Sequence, residues 1–212
     1  MADWNTHIFC ALKVNEKLHF EGADLEKFLY GNIFPDINMG WLLQPELVLE
    51  QKVTHFDGMG QEYFFGPKKF FDKYEARIME KNPLYLGYLF HLWLDVSIMT
   101  NYIAKVPMSD VVMNGSLVRE WKWNDMAVFI KKFSYELSSE HIDEILEESK
   151  GIEEVSLTAE ELRQIPKLLK DARRENNCKQ YLHFDEKMMK DFYDRICKDF
   201  TDWYRNIDIN HK

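Results

Sequence analysis

Residues 83–105 read PLYLGYLFHLWLDVSIMTNYIAK, a run whose apolar side chains fall on nearly every side of a helix. A helix that is apolar all round must be buried, so the run predicts a central core helix with Pro83 as its first residue. His91 and Asp95 lie in its middle, one turn apart, where a charge would cost several kcal/mol in lipid. We therefore expect a helix inside a globular protein and no transmembrane segment.

Apolar residues at three- and four-residue steps predict further helices on both sides of this central one. The expected stretches are Leu25–Gly31 behind Asp24, Gly66–Asn82, Val118–Leu137, Ser139–Glu148, Leu162–Arg173 behind a Thr158/Glu161 capping box, and a long amphipathic stretch after Asp185. The fold class predicted from this pattern is all-α, a compact multi-helix domain around a buried helix at about 83–105.

The composition is that of a globular chain with few turns. Of its 212 residues 46% are hydrophobic, and there are only 9 glycines and 6 prolines. This argues against disorder, collagen-like repeats and a sheet sandwich built on many Gly/Pro turns. We predict one domain over residues 1–212, made of a helical core in 1–140 and bracing C-terminal helices in 150–212. The charged segment Glu147–Glu154 is the expected hinge between these two parts.

A net charge of −9 narrows the possible partners. An acidic surface repels phosphate backbones and anionic lipid headgroups, so no nucleic-acid partner is expected, and an anionic substrate would need a metal ion. The N-terminal sequence has no secretory signal, and the three cysteines form no CxxC pair. We therefore expect reduced thiols and a cytoplasmic location.

His91 and Asp95 are the first candidate site residues. Their four-residue spacing places both side chains on one face of the helix, where they could bind a single ion. Gly87, one turn earlier on that face, would let another backbone or a ligand come close. In isolation, the two side chains could equally well bond to each other or to the backbone inside the core.

Three further polar residues stand in apolar surroundings: His7 in WNTHIF, Asp36 in NIFPDI and His55 in VTHF. Taken singly, each has a structural explanation, as a core histidine, a cap in a turn or the end of a helix or strand. Burying several histidines and carboxylates together is costly unless a cation neutralises them. Mixed imidazole and carboxylate ligands suit zinc, with manganese, iron or nickel as alternatives.

The order of these residues resembles the zinc-dependent phospholipase C family, which is related in fold to the P1-type nucleases. The residues that carry the resemblance are the early His7, the GNIxPD loop at 31–36, the pair His55–Phe56 and the GxxxHxxxD motif at 87–95, within roughly residues 1–140. The resemblance implies an all-α fold and one zinc ion held by Asp36, His55, His91 and Asp95. It also implies a second zinc, bound by His7 and bridged through Asp95.

The chain departs from the family at the other zinc ligands. Secreted members complete the second site with the amine of an N-terminal Trp, whereas here Met1–Asp3 precede Trp4. Asn101 stands where the family has a further His, and the later HxxxE motif of a third zinc is missing. We expect one zinc, possible occupancy of a second site and no third. Asp125, and His141 with Glu144, remain as substitute ligands that solvated helix faces would explain equally well.

The resemblance implies a metal-dependent hydrolase that attacks a small phosphoester or lipid substrate through a metal-bound hydroxide. Asp36 would also orient the attacking water. The alternative is a metal-stabilised helical binding module, or a family member without hydrolase activity, because four protein ligands can leave no open coordination position. The sequence has no His-Asp dipeptide, GxSxG, GxGxxG or P-loop, and it leaves the oligomeric state open.

Overall fold

The computed structural model describes residues 3–37, 49–56, 66–103 and 115–207, and all regular secondary structure in these ranges is helical. The helices are α1 (Trp4–Leu18), α2 (Gly22–Gly31), α3 (Phe34–Ile37), α4 (Gln51–Thr54), α5 (Gly66–Met79), α6 (Pro83–Ile103), α7 (Gly115–Ile130), α8 (Ile142–Ser149), α9 (Ala159–Glu175) and α10 (Glu186–Asn206). The all-α prediction is confirmed. Within the described ranges, no helix is both long and apolar enough to cross a bilayer.

Helix α6 is the centre of the core, as its sequence predicts. Tyr88, Leu89 and Phe90 point to different sides of this helix, and all three are buried. Helices α2 and α5 pack along it, and α10 also contacts it. The predicted residues 104 and 105 lie outside the described ranges.

Two glycines allow α2 and α6 to approach backbone to backbone. A Cβ atom at Gly31 would overlap the carbonyl oxygen of Leu84, and a Cβ atom at Gly87 would overlap that of Phe28. The close approach expected at Gly87 is therefore confirmed. This close approach of α2 and α6 brings the loop after α2 and the short helix α3 against the middle of α6.

The corner between α5 and α6 differs from the prediction by three residues. Helix α5 ends at Met79 instead of Asn82. Lys81 adopts a left-handed conformation, with φ 59°, and the amides of Lys81 and Asn82 donate to the carbonyls of Ile78 and Arg77, both at 3.0 Å, which ends α5. The Oδ1 atom of Asn82 accepts the amide hydrogens of Leu84 and Tyr85, at 3.0 and 3.3 Å, and so caps the start of α6.

The C-terminal helices agree with their predicted start signals. The side chain of Thr158 accepts the amide of Glu161, and the Glu161 carboxylate accepts the amide of Thr158, which completes the predicted capping box of α9. Asp185 accepts the amide of Met188 at 2.7 Å and caps α10. Helix α10 packs along α1, where the thiol of Cys197 lies 3.7 Å from the carbonyl oxygen of Cys10.

The helix predicted over Val118–Leu137 stops at Ile130 because tertiary contacts hold the residues that follow it. The hydroxyl of Tyr135 donates to Asn5 at 2.5 Å, and its carbonyl accepts from Arg173 at 3.0 Å. The guanidinium group of Arg173 also stacks 4.0 Å from the Tyr135 ring. These contacts to α1 and α9 replace the hydrogen bonds that a longer helix would make.

Two other helix starts are shifted. Helix α8 begins at Ile142 instead of Ser139, because the Ser138 carbonyl accepts from the buried hydroxyl of Tyr30 at 3.2 Å. Helix α2 begins at Gly22, so Asp24 lies in its first turn and is not its cap.

The segment predicted as a hinge, Glu147–Glu154, is bonded to α5. Tyr74 donates to Glu154 at 2.6 Å, Lys73 lies 2.8 Å from Glu153, and Ile152 is buried.

Candidate metal centre

The structure brings the five predicted site residues together in the core. His7 comes from α1, Asp36 from α3, His55 follows the last residue of α4, and His91 and Asp95 lie on α6. Their exposed fractions range from 0% for His7 and His91 to 5% for Asp36. Three other elements therefore converge on the face of α6 that the His91/Asp95 spacing predicts.

Four of these side chains point one ligand atom each at a common point. The Nε2 atoms of His55 and His91 are 3.3 Å apart. The Oδ1 atom of Asp36 lies 3.4 Å from the former and 3.8 Å from the latter. The Oδ2 atom of Asp95 lies 3.7 Å from both. A tetrahedral ion with ligands at about 2.0–2.2 Å separates its ligand atoms by about 3.3–3.6 Å, so the two imidazoles together with either carboxylate could hold one such ion with little movement.

Hydrogen bonds on the far side of each imidazole ring leave the Nε2 lone pairs pointing inward. The Nδ1 atom of His91 lies 2.9 Å from the backbone carbonyl of Asn32, which can only accept, so Nδ1 is the donor. The Nδ1 atom of His55 lies 2.9 Å from the hydroxyl of Thr54, which can accept its hydrogen. In that tautomer two Nε2 lone pairs face each other across 3.3 Å, and they are satisfied only when a proton or a metal ion lies between them.

The ionisation states of His91 and Asp36 also favour metal binding. Burial lowers the pKa of His91 to about 3, and the neighbouring His7 acts in the same direction, so the imidazole is neutral at neutral pH. Burial alone would raise the pKa of Asp36. The facing rings of His91 and His55 lower it by more than burial raises it, so the pKa of Asp36 lies below its ordinary value. Neutral imidazoles beside an ionised carboxylate form a donor set for a cation.

His7 lies on the other side of His91. The two rings stack with centroids 3.8 Å apart and an angle of 4° between their planes. The Nε2 atom of His7 is 3.5 Å from the Oδ1 atom of Asp95, and among the described residues neither ring nitrogen of His7 has a hydrogen-bond partner. His7, His91 and Asp95 form a second group of potential ligands that shares two members with the first centre.

Sequence reasoning missed the residues that orient these ligands. Thr54 sets the tautomer of His55, and Tyr88 holds the carbonyl of Thr54 through its buried hydroxyl. Asn32, a residue of the GNIxPD loop, accepts from His91 through its backbone carbonyl and donates to the Gly87 carbonyl at 3.1 Å. Only Thr54 carries a sequence signal, namely a hydroxyl directly before a buried histidine.

The substitute ligands have other roles in the structure. The carboxylate of Asp125 accepts the amides of residues 182–184, at 2.7–3.1 Å, and so anchors the loop before α10. His141 lies 3.2 Å from Glu26, and Glu144 lies 3.5 Å from Lys27. Asn101 donates to a carbonyl of its own helix. None of these residues joins the two groups of ligand atoms around His91.

A third cluster of potential ligand atoms consists of Glu26, Glu140 and His141, and it lies nearer the surface. His19 and His183 belong to none of the clusters within the described ranges, while His211 and Met1–Ala2 fall outside those ranges.

No protein-family model matches this chain, and no curated protein or solved structure is significantly similar to it. The function of the chain therefore has to be inferred from the centre itself, from its potential ligand atoms, their distances and their burial.

Proposed function

We propose that the chain is a metal-dependent hydrolase of phosphoesters. The single observation that carries this proposal is that the Nε2 atoms of His55 and His91 lie 3.3 Å apart with a carboxylate oxygen of Asp36 and one of Asp95 each 3.4–3.8 Å from both. The motif order that resembles the zinc-dependent phospholipase C family supports the same function, and with it an architecture of that family's type.

Zinc is the ion we propose, because two imidazoles and two carboxylates at tetrahedral spacing are typical zinc ligands. Manganese, iron and nickel accept the same donor atoms, so the metal has to be identified in the purified protein. His7 and the Oδ1 atom of Asp95, 3.5 Å apart, would supply part of a second, weaker site.

When bound, a divalent ion lowers the pKa of a coordinated water and offsets charge on phosphoryl oxygens. The protein's own contribution is to hold the ligands and to manage the proton. Asp36 is the proposed catalytic residue, since it is the most exposed of the four and its carboxylate has a second oxygen that can accept a proton from the attacking water. Its lowered pKa keeps this base ionised at neutral pH.

The burial of the centre favours one competing function. With exposed fractions of 5% or less and four protein ligands, the site could be closed, and its ion would then only stabilise the helices. A metal-stabilised binding module of this kind would bind the same ion but catalyse nothing.

Metal analysis and hydrolysis assays on one purified sample test the proposal. Suitable substrates are bis-p-nitrophenyl phosphate, p-nitrophenyl phosphate and a short-chain phospholipid. Turnover is expected to disappear on chelation, to return with added zinc, and to fall at least about 100-fold in Asp36→Asn but not in Asp24→Asn, a matched change at an exposed position. A protein that binds zinc stoichiometrically and gains stability from it, yet hydrolyses none of the three, would instead be the structural module.

A further inference from the structure

Phe56, the residue directly after the proposed ligand His55, has a backbone conformation that is rare for an aromatic residue. Its φ is +55°, in the left-handed region, where the Cβ atom of an L-residue meets the neighbouring backbone. Glycine and asparagine usually occupy such positions because they tolerate this conformation better. A bulky residue held there calls for a physical reason, and backbone strain of this kind is concentrated at functional sites.

Contacts of the Phe56 ring stabilise this conformation. The ring lies edge-on to Phe70 of α5, with centroids 5.4 Å apart, and to Tyr88 of α6, with centroids 6.5 Å apart. Phe70 and Tyr88 stack on each other at 4.4 Å, so Phe56 packs on a stacked aromatic pair. The ammonium group of Lys73 lies 5.8 Å from the centre of the Phe56 ring. The favourable ring contacts offset the cost of the left-handed backbone.

The backbone of His55 is anchored on both sides. Tyr88 donates its hydroxyl to the carbonyl of Thr54, the residue before His55, and contacts the ring of Phe56, the residue after it. The carbonyl of His55 itself faces Gly66, where a Cβ atom would overlap its oxygen. Helix α4, which leads into His55, has only four residues, and a single helical turn is marginally stable by itself. The position of His55 therefore depends on anchors outside α4.

The position of the His55 backbone matters because a metal site tolerates only small shifts of its ligands. The Nε2 atom of His55 lies 3.3 Å from that of His91, and bonds to an ion have to be correct to within about 0.2 Å. The hydroxyl of Thr54 orients the ring, but it does not fix the backbone that carries the ring. A different backbone turn after His55 would move the imidazole away from His91.

We propose that Phe56 is a positioning residue of the metal centre. The packing of its ring on Phe70 and Tyr88 holds the left-handed turn, and this turn keeps the imidazole of His55 opposite His91. The inference rests on the proposed function to the extent that His55 binds a metal ion there, and it does not depend on hydrolysis. It adds a residue outside the ligand set that controls metal affinity.

Zinc affinity, measured by competition with a chromogenic chelator, tests this role independently of activity. Phe56→Ala removes the ring and keeps the unfavourable φ, Phe56→Gly removes the ring and relieves the strain, and Phe56→Tyr keeps the ring. Phe71→Ala is the matched control, because Phe71 is also half-buried but packs on Trp203 of α10.

Phe56→Ala and Phe56→Gly are expected to bind zinc about tenfold or more weakly, and Phe56→Tyr and Phe71→Ala within about threefold of the unaltered protein. The visible spectrum of the cobalt-loaded protein, which reports the ligands of the ion, should change in the same two variants only. Without metal, Phe56→Gly should unfold at a higher urea concentration than Phe56→Ala, because glycine adopts a φ of +55° without the steric cost. If the alanine variant does not fold, the glycine variant decides the comparison of zinc affinities.

Unchanged zinc affinity in the variants without the ring would overturn the inference. So would an equal loss in Phe56→Tyr or Phe71→Ala, because the effect would then not come from the ring of Phe56. Greater stability of Phe56→Ala than of Phe56→Gly would contradict the strained turn. The proposed function is judged separately, by zinc content and hydrolysis of the unaltered protein: zinc binding without hydrolysis would refute that function alone, and no zinc binding would refute both.

Discussion

The imidazole of His55 is held in one orientation by the hydroxyl of Thr54, at 2.9 Å from Nδ1. Thr54→Val keeps the shape of this fully buried side chain and removes the acceptor, so Nε2 no longer presents a fixed lone pair. We expect zinc affinity to fall about 10- to 100-fold, as is usual when a group that orients a metal-bound histidine is removed. Competition with a chromogenic chelator measures this change.

Thr201→Val is the matched control for Thr54→Val. Thr201 is also buried, but its hydroxyl donates to a carbonyl of its own helix, α10. This variant should bind zinc as the unaltered protein does. If both variants lost affinity equally, the effect would come from stability, and Thr54 would have no orienting role.

A variant of His7 distinguishes a centre that binds one metal ion from a centre that binds two. The His7 ring stacks on His91, and its nitrogens lack hydrogen-bond partners among the described residues. If it binds a second ion shared through Asp95, His7→Ala lowers zinc stoichiometry from two to one and suppresses hydrolysis. We expect a partly occupied second site, and therefore a measurable drop by metal analysis. His183→Ala, a stacked histidine on Trp121, is the control. Equal zinc and equal turnover in the His7 variant would remove His7 from the site.

At the scale of residues, the sequence predicted the ligands better than their supports. The one-turn spacing of His91 and Asp95 has only one geometric outcome on a helix, so their shared face was predictable. The role of Asn32 was not, because His91 bonds to its backbone carbonyl, which every residue has. The role of Thr54 was only partly predictable from the sequence, because it depends on the tautomer of the neighbouring His55.

Among the helices, the contact between α2 and α6 matters most for the centre, because it positions Asp36 and the Asn32 carbonyl. Gly87→Ala would drive a methyl group into the carbonyl of Phe28, so we expect a loss of about 3 kcal/mol in unfolding free energy and weaker zinc binding. Denaturant unfolding and zinc titration measure the two effects.

Gly22→Ala is the control for that close contact. Gly22 has a φ of +53° but nothing within 4 Å of its added Cβ, so alanine there meets only backbone strain of about 1 kcal/mol. Zinc binding should be unchanged in this variant. Similar losses in both variants, with zinc binding intact, would contradict the importance of the close approach.

Helix positions followed from periodicity and capping residues, but several helix ends did not. The end of α7 at Ile130 depends on Tyr135 bonding to Asn5 and Arg173, which lie far away in sequence. The helical spacing of apolar residues continues past Ile130 and does not indicate those distant contacts. By contrast, the capping box of α9 and the Asp185 cap of α10 are local, and both were correctly predicted.

For the whole molecule, acid should destabilise the metal-free protein. The pKa of His91 is 6.5 in its ordinary state and about 3 in the fold, because burial disfavours the charged ring. Between these values the unfolded chain binds a proton that the folded chain does not, so the unfolding free energy falls as the pH drops from about 6.5 toward 3. The lowered pKa of Asp36 adds to the loss at the acid end.

Urea unfolding across this pH range measures the effect. His91→Asn has no group that titrates there, so its decline is expected to be shallower than that of the unaltered protein. Parallel curves for the two proteins would show that His91 is not held neutral by burial.

The existence of the centre itself is tested by zinc analysis of His91→Ala beside the unaltered protein, after both are loaded with zinc and freed of excess metal. His91 belongs to both groups of potential ligand atoms. We predict at least one equivalent of zinc in the unaltered protein and none in His91→Ala, which should remain helical by circular dichroism. A full equivalent retained by His91→Ala, or no zinc bound by the unaltered protein, would contradict the proposed centre.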